Sequence, residues 1–386
     1  MMKKIRDYFK MVKKIIYFDS AALSLKPDIA VRACSDFYNK YSVSVRTSNS
    51  PLGIKNNSLI SNLRVKIANL LNTDTNKTAI IFTSGATASL NLFAQLYSSK
   101  ISSSDEILVS AYNHSSNFVP WIEIAKQKGA KVVVAEDIIS KINEKTKVIA
   151  ISQLTNNFDT QENIDLVYKR AQEVRAIVVN DAAQAIVYER VYARENEVIA
   201  FSANKFYGPT GLGILALDNN LLRELDPVNF GGGSVLNIDS QCSWVKKDSI
   251  ELFEPGTANF SAMYMFDKSL DFFNEKIGYE LTSHKLSELS IYAHKILKKI
   301  PNIKIYSKPG SHIILFNVDG VDSHDVAHYL GTNNIYVRSG LFCAHYVRNI
   351  KNENSYVRVS LGIYNNKNEI RKLAEVLKNG GDFLVI

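Results

Sequence analysis

From residue 78 onward, short β-branched runs alternate with stretches of helical periodicity, a rhythm that points to a mostly parallel sheet with helices on both faces. Strands are expected at 79–82, 106–110, 131–135, 147–152, 176–180, 198–202 and 213–217. Helices are expected at 55–71, 86–97, 117–127 and 164–174. After Gly231-Gly232-Gly233 the texture changes to a hairpin-like stretch ending at Leu252, helices over 263–277 and 281–299, and strands at 303–306 and 312–318. A helix at 323–330, short strands ending near Val337 and Ser360, and a helix at 367–378 complete a second α/β unit.

The length of 386 residues suits two sizeable domains at roughly 150 residues each. With 46% hydrophobic and 22% charged residues, the chain has enough apolar material for a full core. Apolar runs such as Val132-Val133-Val134-Ala135 are strand-sized, so no membrane span is expected. The lysine-rich start, interrupted by Arg6-Asp7 and Lys13-Lys14, is expected as a native helix running into a strand at 15–18. The net charge of +8 is spread along the chain as isolated pairs such as Lys246-Lys247, without interleaved aromatics, which argues against nucleic acid. Cys34, Cys242 and Cys343 lie far apart, with no CxxC pair, so neither a disulfide scaffold nor a zinc site is expected. An odd count without an export signal fits a reducing, cytoplasmic setting.

In open α/β sheets ligands bind beyond the carboxyl ends of the strands. There the sequence places Ser84-Gly85-Ala86-Thr87, His114, Asn156, Asp181 and the segment Ser202-Ala203-Asn204-Lys205. A small-residue turn opening a helix suits a phosphate but is as often an ordinary cap. A strand-end aspartate with a lysine 24 residues on is, by itself, as well read as a plain ion pair. Together, a phosphate turn, a ring-stacking histidine, a buried aspartate and a lysine on a glycine-flanked loop suit pyridoxal phosphate (PLP). In that reading Lys205 forms the Schiff base, Asp181 keeps the pyridine nitrogen protonated, and the turn anchors the phosphate.

The sequence resembles the class V aminotransferase-like family of fold type I PLP enzymes, most closely group II cysteine desulfurases and selenocysteine lyases. The resemblance runs from Tyr17-Phe18-Asp19-Ser20-Ala21-Ala22 through His114-Ser115-Ser116-Asn117, Asp181-Ala182-Ala183-Gln184 and Lys205-Phe206-Tyr207-Gly208. It continues through Gly256-Thr257-Ala258-Asn259 to Arg338-Ser339-Gly340-Leu341-Phe342-Cys343 and Arg358-Val359-Ser360. It implies an α/β fold with a large PLP-binding domain at 20–259, carrying a seven-stranded mainly parallel sheet, and a smaller α/β domain from 1–19 and 260–386. It further implies that Lys205 carries PLP, that His114 stacks on its ring and that Asp181 and Gln184 bond its nitrogen and phenolic oxygen. Ala86, Thr87, Ser202 and Asn204 fall at its phosphate, while Thr257 reaches the phosphate of a neighbouring subunit in a homodimer with shared sites. Asn156, Arg338 and Arg358 face the substrate, with Arg358 on the α-carboxylate. Cys343 is the implied nucleophile, activated by Arg338 or His345, which turns L-cysteine into L-alanine and takes the sulfur as a persulfide for an acceptor protein or reductant. Cys34 and Cys242 read as structural.

Asn113, Ser115, Asn204 and Leu341-Phe342 depart from the residues usual at these positions. Another PLP enzyme on the same scaffold is the competing reading: a selenocysteine lyase, a cysteine desulfhydrase, an epimerase or an aminotransferase. Dependence on Cys343 separates these. A non-enzymatic module that keeps the fold is the third reading, and failure to take up PLP would favour it. Ser202-x-x-Lys205 also spells a serine acyltransferase motif, without its companion motifs.

Overall fold

The computed structural model describes residues 4–45, 49–158, 160 and 162–380. Among these, seven strands form the main sheet: β1 (Thr78–Thr83), β2 (Glu106–Ser110), β3 (Lys131–Ala135), β4 (Thr146–Ile151), β5 (Ile177–Asp181), β6 (Glu197–Ser202) and β7 (Gly213–Asp218). Their order is β1-β7-β6-β5-β4-β2-β3, and only β7 runs antiparallel to its neighbours. Helices α1 (Pro51–Leu70), α2 (Ala86–Tyr97), α3 (Val119–Lys128) and α4 (Ile164–Val174) belong to this unit. Alternate side chains of each strand enter different buried clusters: Ile80, Phe82, Ile199 and Phe201 on one face, Ile81, Val198, Ala200 and Leu215 on the other. Burial on both faces explains why these strands read as nearly continuous apolar runs.

The second sheet has the order β8-β9-β11-β10 and is antiparallel throughout, from β8 (Ile303–Ile305), β9 (Ile313–Val318), β10 (Arg338–Gly340) and β11 (Tyr356–Ser360). Helices α6 (Gly278–Leu297), α7 (Ser323–Thr332) and α8 (Lys367–Asn379) bury Leu289, Val326 and Leu373 with Ile314, Phe316 and Val359 of this sheet. Preceding them, α5 (Phe260–Phe272) carries Phe266 and Leu270 into the core of the main sheet, and the π-helical turn beyond it adds Phe273. The spacing of those three residues already marks them as a core stripe.

The N-terminal segment differs from expectation. In place of one helix it forms two 3-10 turns, Ile5–Tyr8 and Lys10–Lys13, before a short strand Ile16–Tyr17 that pairs in parallel with Ile335–Tyr336. Tertiary contacts override helical periodicity here. Phe9 is wholly buried in the main core against Tyr364, while the Arg6 guanidinium bonds the Tyr364 and Val12 carbonyls and Glu369. Residues 1–3 of the expected helix lie outside the described residues. Among the described residues, no helix is long and apolar enough to cross a membrane.

Candidate active site

The carboxyl ends of β1, β2, β4, β5 and β6 converge with the loop between β10 and β11. At the end of β1, Gly85 precedes α2 as its N-cap residue and, being glycine, supplies no capping side chain of its own. The Ala86 N–H donates to Ser202 Oγ at 2.7 Å, and the Thr87 and Ser116 hydroxyls are 2.7 Å apart. The α2 N-terminus lies so close to β7 that a Cβ on Gly213 would come within 2.4 Å of the Gly85 backbone. Glycine at 213 is what allows Ser202 and the helix N-terminus to share one small cradle. Helix N-terminal N–H groups flanked by hydroxyls are the donor set a phosphate monoester takes.

His114 Nδ1 lies 2.9 Å from Ser116 Oγ and accepts the Ser116 N–H at 3.1 Å. Burial pushes its pKa below the ordinary histidine value, with Lys205, Arg338 and Arg358 adding to the effect against Asp181. Beneath it, Asn113 spans the Asn117 and Ala150 carbonyls and accepts from Ser152 Oγ, and Asn117 bonds the Ile151 and Val179 carbonyls and the Trp121 indole. Asn113, where the resemblance leads one to expect glutamate, is therefore a tie between strand ends.

Asp181 is 6% exposed at the end of β5 and accepts the Ala183 N–H at 3.0 Å. It forms no ion pair with any described residue. A buried carboxylate in that state calls for a cationic partner, and a protonated pyridine nitrogen supplies one. Gln184 is also buried, with its amide nitrogen on the Ala21 carbonyl at 2.8 Å.

Lys205 ends the 3-10 turn that follows β6. Burial lowers its pKa from the ordinary lysine value, and Asp181, Arg358, Arg338 and Cys343 all lie close enough to act on its charge. The structure thus brings His114, Asp181, Lys205, Arg338, Arg358 and Cys343 into one electrostatic cluster. The backbone before Lys205 is held by a feature that the sequence reading passed over. The Asn204 carbonyl accepts from Ser24 N–H, Ser24 Oγ and Lys26 Nζ, the last at 2.6 Å, and burial pulls Lys26 down to about 7. The Asn204 side chain turns to the Ala22 carbonyl at 3.3 Å.

Arg338 and Arg358 face each other in register across β10 and β11. Like charges directly opposite destabilise a strand pair unless an anion lies between them. Asp19, which the sequence reading quoted only as part of a motif, is that anion: its carboxylate is 2.7 Å from Arg358 and 4.0 Å from Arg338. Arg358 is 1% exposed, also donates to the Asn156 carbonyl at 2.8 Å, and has the Phe342 ring 4.6 Å from its guanidinium carbon. Its buried Nε has no partner among the described residues. Two arginines with one carboxylate leave a net positive charge and a free donor, the chemistry of a carboxylate site.

Cys343 is exposed, as is Cys242 at the hairpin tip, where exposure of the thiol runs against the structural role expected; Cys34 is half-buried. All three are free thiols. Phe342 and Cys343 both adopt left-handed backbone, at φ 55° and 60°, inside a turn closed by Ala344 N–H to Leu341 C=O. Each such residue costs on the order of 1–2 kcal/mol without glycine. His345 begins the following 3-10 turn and is exposed. Thr257 lies apart from the cluster, on a cavity of about 510 Å³ with Gly233, Val235, Arg64 and Glu254. No cluster of histidine, cysteine or carboxylate side chains among the described residues has the form of a metal site.

The donor set therefore fits PLP: a half-buried lysine, a buried carboxylate outside any ion pair among the described residues, a half-buried histidine and a helix N-terminus flanked by hydroxyls. Comparison with known proteins gives the family and the fold. Residues 16–373 match the family model described as aminotransferase class-V. A protein of Ureaplasma parvum serovar 3 named a probable cysteine desulfurase is 33% identical, over 97% of this chain and 96% of its own length. The crystal structure of the cysteine desulfurase CsdA of Escherichia coli superposes with a TM-score of 0.89 at 26% identity, covering 98% of each chain. A C-DES variant with glycine covalently linked to its PLP cofactor shares the fold at a TM-score of 0.82 and 18% identity, covering 98% of this chain and 100% of that one.

Proposed function

The chain belongs to the aminotransferase class-V family, and on that premise we propose that it is a PLP-dependent cysteine desulfurase. The net reaction is L-cysteine plus the Cys343 thiol giving L-alanine plus a persulfide on Cys343, so the sulfur is oxidised as the β-carbon is reduced. The observation that carries this reading is the presence of a half-buried lysine, Lys205, and an exposed thiol, Cys343, in one cluster with an arginine pair.

When bound, PLP supplies an electron sink that acidifies the substrate α-carbon. Lys205, Asp181, His114, Ala86, Thr87, Ser202, Asn204 and Gln184 are the residues assigned to hold it. Burial leaves a larger share of Lys205 as the free amine near neutral pH, the form that attaches the cofactor and takes a proton from the substrate. Arg358 is assigned to the substrate carboxylate, with Asn156 and Phe342 fixing the guanidinium plane. Arg338, more exposed, draws the anion in. Cys343 attacks the substrate sulfur from the solvent side, where the persulfide stays open to an acceptor protein or reductant.

Thr257 is assigned to the site of a second subunit. The hairpin beside its cavity exposes Leu236 (69%), Ile238 (63%) and Val245 (52%), and Phe230 next to it is 65% exposed, an apolar face that a homodimer would cover. Three free thiols suit a reducing compartment such as the cytoplasm. One observation favours the second reading, a related amino acid processed without a thiol: Leu341 and Phe342, next to Cys343, carry no proton-transfer group.

Borohydride treatment of the PLP-loaded protein, followed by peptide mapping, tests the cofactor assignment. The pyridoxyl label is expected on Lys205. A label confined to another lysine contradicts it.

A further inference from the structure

The turn that carries Cys343 is unusual in having two successive non-glycine residues in the left-handed region, Phe342 and Cys343. Such a turn persists only where its surroundings over-determine it. Its ends are held from two sides. Asn156 Nδ2 donates to the Phe342 carbonyl at 2.8 Å. On the other side, the Ser115 N–H and the Ser115 hydroxyl both donate to the Cys343 carbonyl, each at 2.7 Å.

Ser115 follows His114 directly, and its neighbour Ser116 bonds both His114 Nδ1 and Thr87. The short segment 114–116 therefore links the helix-terminus cradle, the stacking histidine and the thiol-bearing turn. Ser115 stands where the resemblance leads one to expect a second histidine. Its small side chain lets the backbone of the turn come within hydrogen-bond distance of both donors.

We propose that Ser115 is a positioning residue for sulfur transfer, its two hydrogen bonds to the Cys343 carbonyl holding the thiol turn against the His114 side of the site. This rests on the reading of Cys343 as the sulfur acceptor. Freed of one donor, the turn relaxes toward an ordinary backbone conformation and the thiol leaves its line of attack, while the carboxylate grip of Arg358 and the cofactor cradle stay as they were.

The test uses the PLP-loaded protein as wild type and as Ser115→Ala, Ser115→Thr and Ser115→Val. The last two have nearly the same shape, but only threonine keeps the hydroxyl. Ser115→Ala and Ser115→Val are expected to lower kcat for alanine formation about tenfold, with KM changed less than about twofold and the cofactor absorbance unaltered. Ser115→Thr is expected to keep kcat within about twofold of wild type. A second readout is the rate at which iodoacetamide alkylates Cys343, followed by peptide mass against Cys242 in the same sample. It is expected to rise in the alanine and valine variants only. Unchanged kcat and unchanged Cys343 alkylation in Ser115→Val would overturn the proposal, as would equal losses in the threonine and valine variants. If the wild type makes no alanine from L-cysteine, the desulfurase reading fails by itself, and the alkylation series still decides whether Ser115 holds the turn.

Discussion

Facing arginines on adjacent strands leave this pocket with more positive charge than Asp19 alone neutralises, and that imbalance reaches nearby groups. His312 is one of them. It is 7% exposed, its ring lies 4.3 Å from that of Tyr188, its Nε2 has no partner among the described residues, and burial together with Arg358 pushes its pKa down to about 3. Because the folded value lies below the unfolded one of about 6.5, protonation favours the unfolded chain. Stability from this group is intact above pH about 6.5 and is lost as pH falls toward 3, with a slope of up to about 1.4 kcal/mol per pH unit. His312→Leu should flatten that loss in denaturant titrations between pH 6.5 and 4.5, and an unchanged slope would show that other groups control it. At this scale the sequence was legible in grouping Lys205, Asp181 and Arg358, which the structure brings into one electrostatic cluster, while their roles belong to the proposal. Asp19 was not legible as a site residue, because its role exists only once β10 and β11 pair and set Arg338 opposite Arg358. Ser115 looked like a lost histidine for the same reason: its partner is a carbonyl more than two hundred residues away.

Elements were easier to read than contacts. β2 and β3 fall at the limits their β-branched runs indicate, and α2 and α4 begin and end where the periodicity does. The segment 4–13 was misread because tertiary anchors, Phe9 and Arg6, set its path and its periodicity does not. One element contact has a sharp requirement. α2 approaches β7 across Gly85 and Gly213 with no room for a methyl group. Gly213→Ala should destabilise the protein by about 1–3 kcal/mol through overpacking and should weaken PLP binding by shifting Ser202 away from the helix N-terminus. Thermal unfolding and cofactor titration check both effects. A stable variant with unchanged PLP affinity would show that the close approach is dispensable.

For the whole molecule, the antiparallel second sheet brings two arginines and the thiol turn to the carboxyl ends of the mostly parallel one, so that the proposed site draws on both. The proposed subunit arrangement extends the same logic. Lys205→Ala alone removes the cofactor attachment, and Thr257→Glu alone places a carboxylate where a phosphate of the second subunit is proposed to sit. Mixing the two variants under conditions that exchange subunits should restore part of the activity, because a mixed dimer contains one site with both native residues. No recovery despite demonstrated exchange would place Thr257 in its own subunit's site. The fold class was legible because strand and helix periods dominate a doubly covered sheet. The proposal of a shared site comes through resemblance alone, since nothing local in Gly256-Thr257 signals a partner. The central claim is that sulfur leaves L-cysteine for Cys343. Its most direct test is alanine formed from L-cysteine by the PLP-loaded protein beside its Cys343→Ala variant, with cofactor absorbance recorded for both. Alanine from the wild type, reduced by roughly 100-fold or more in the variant at equal cofactor loading, is the predicted result. Equal alanine from both, or none from a fully loaded wild type, would contradict it.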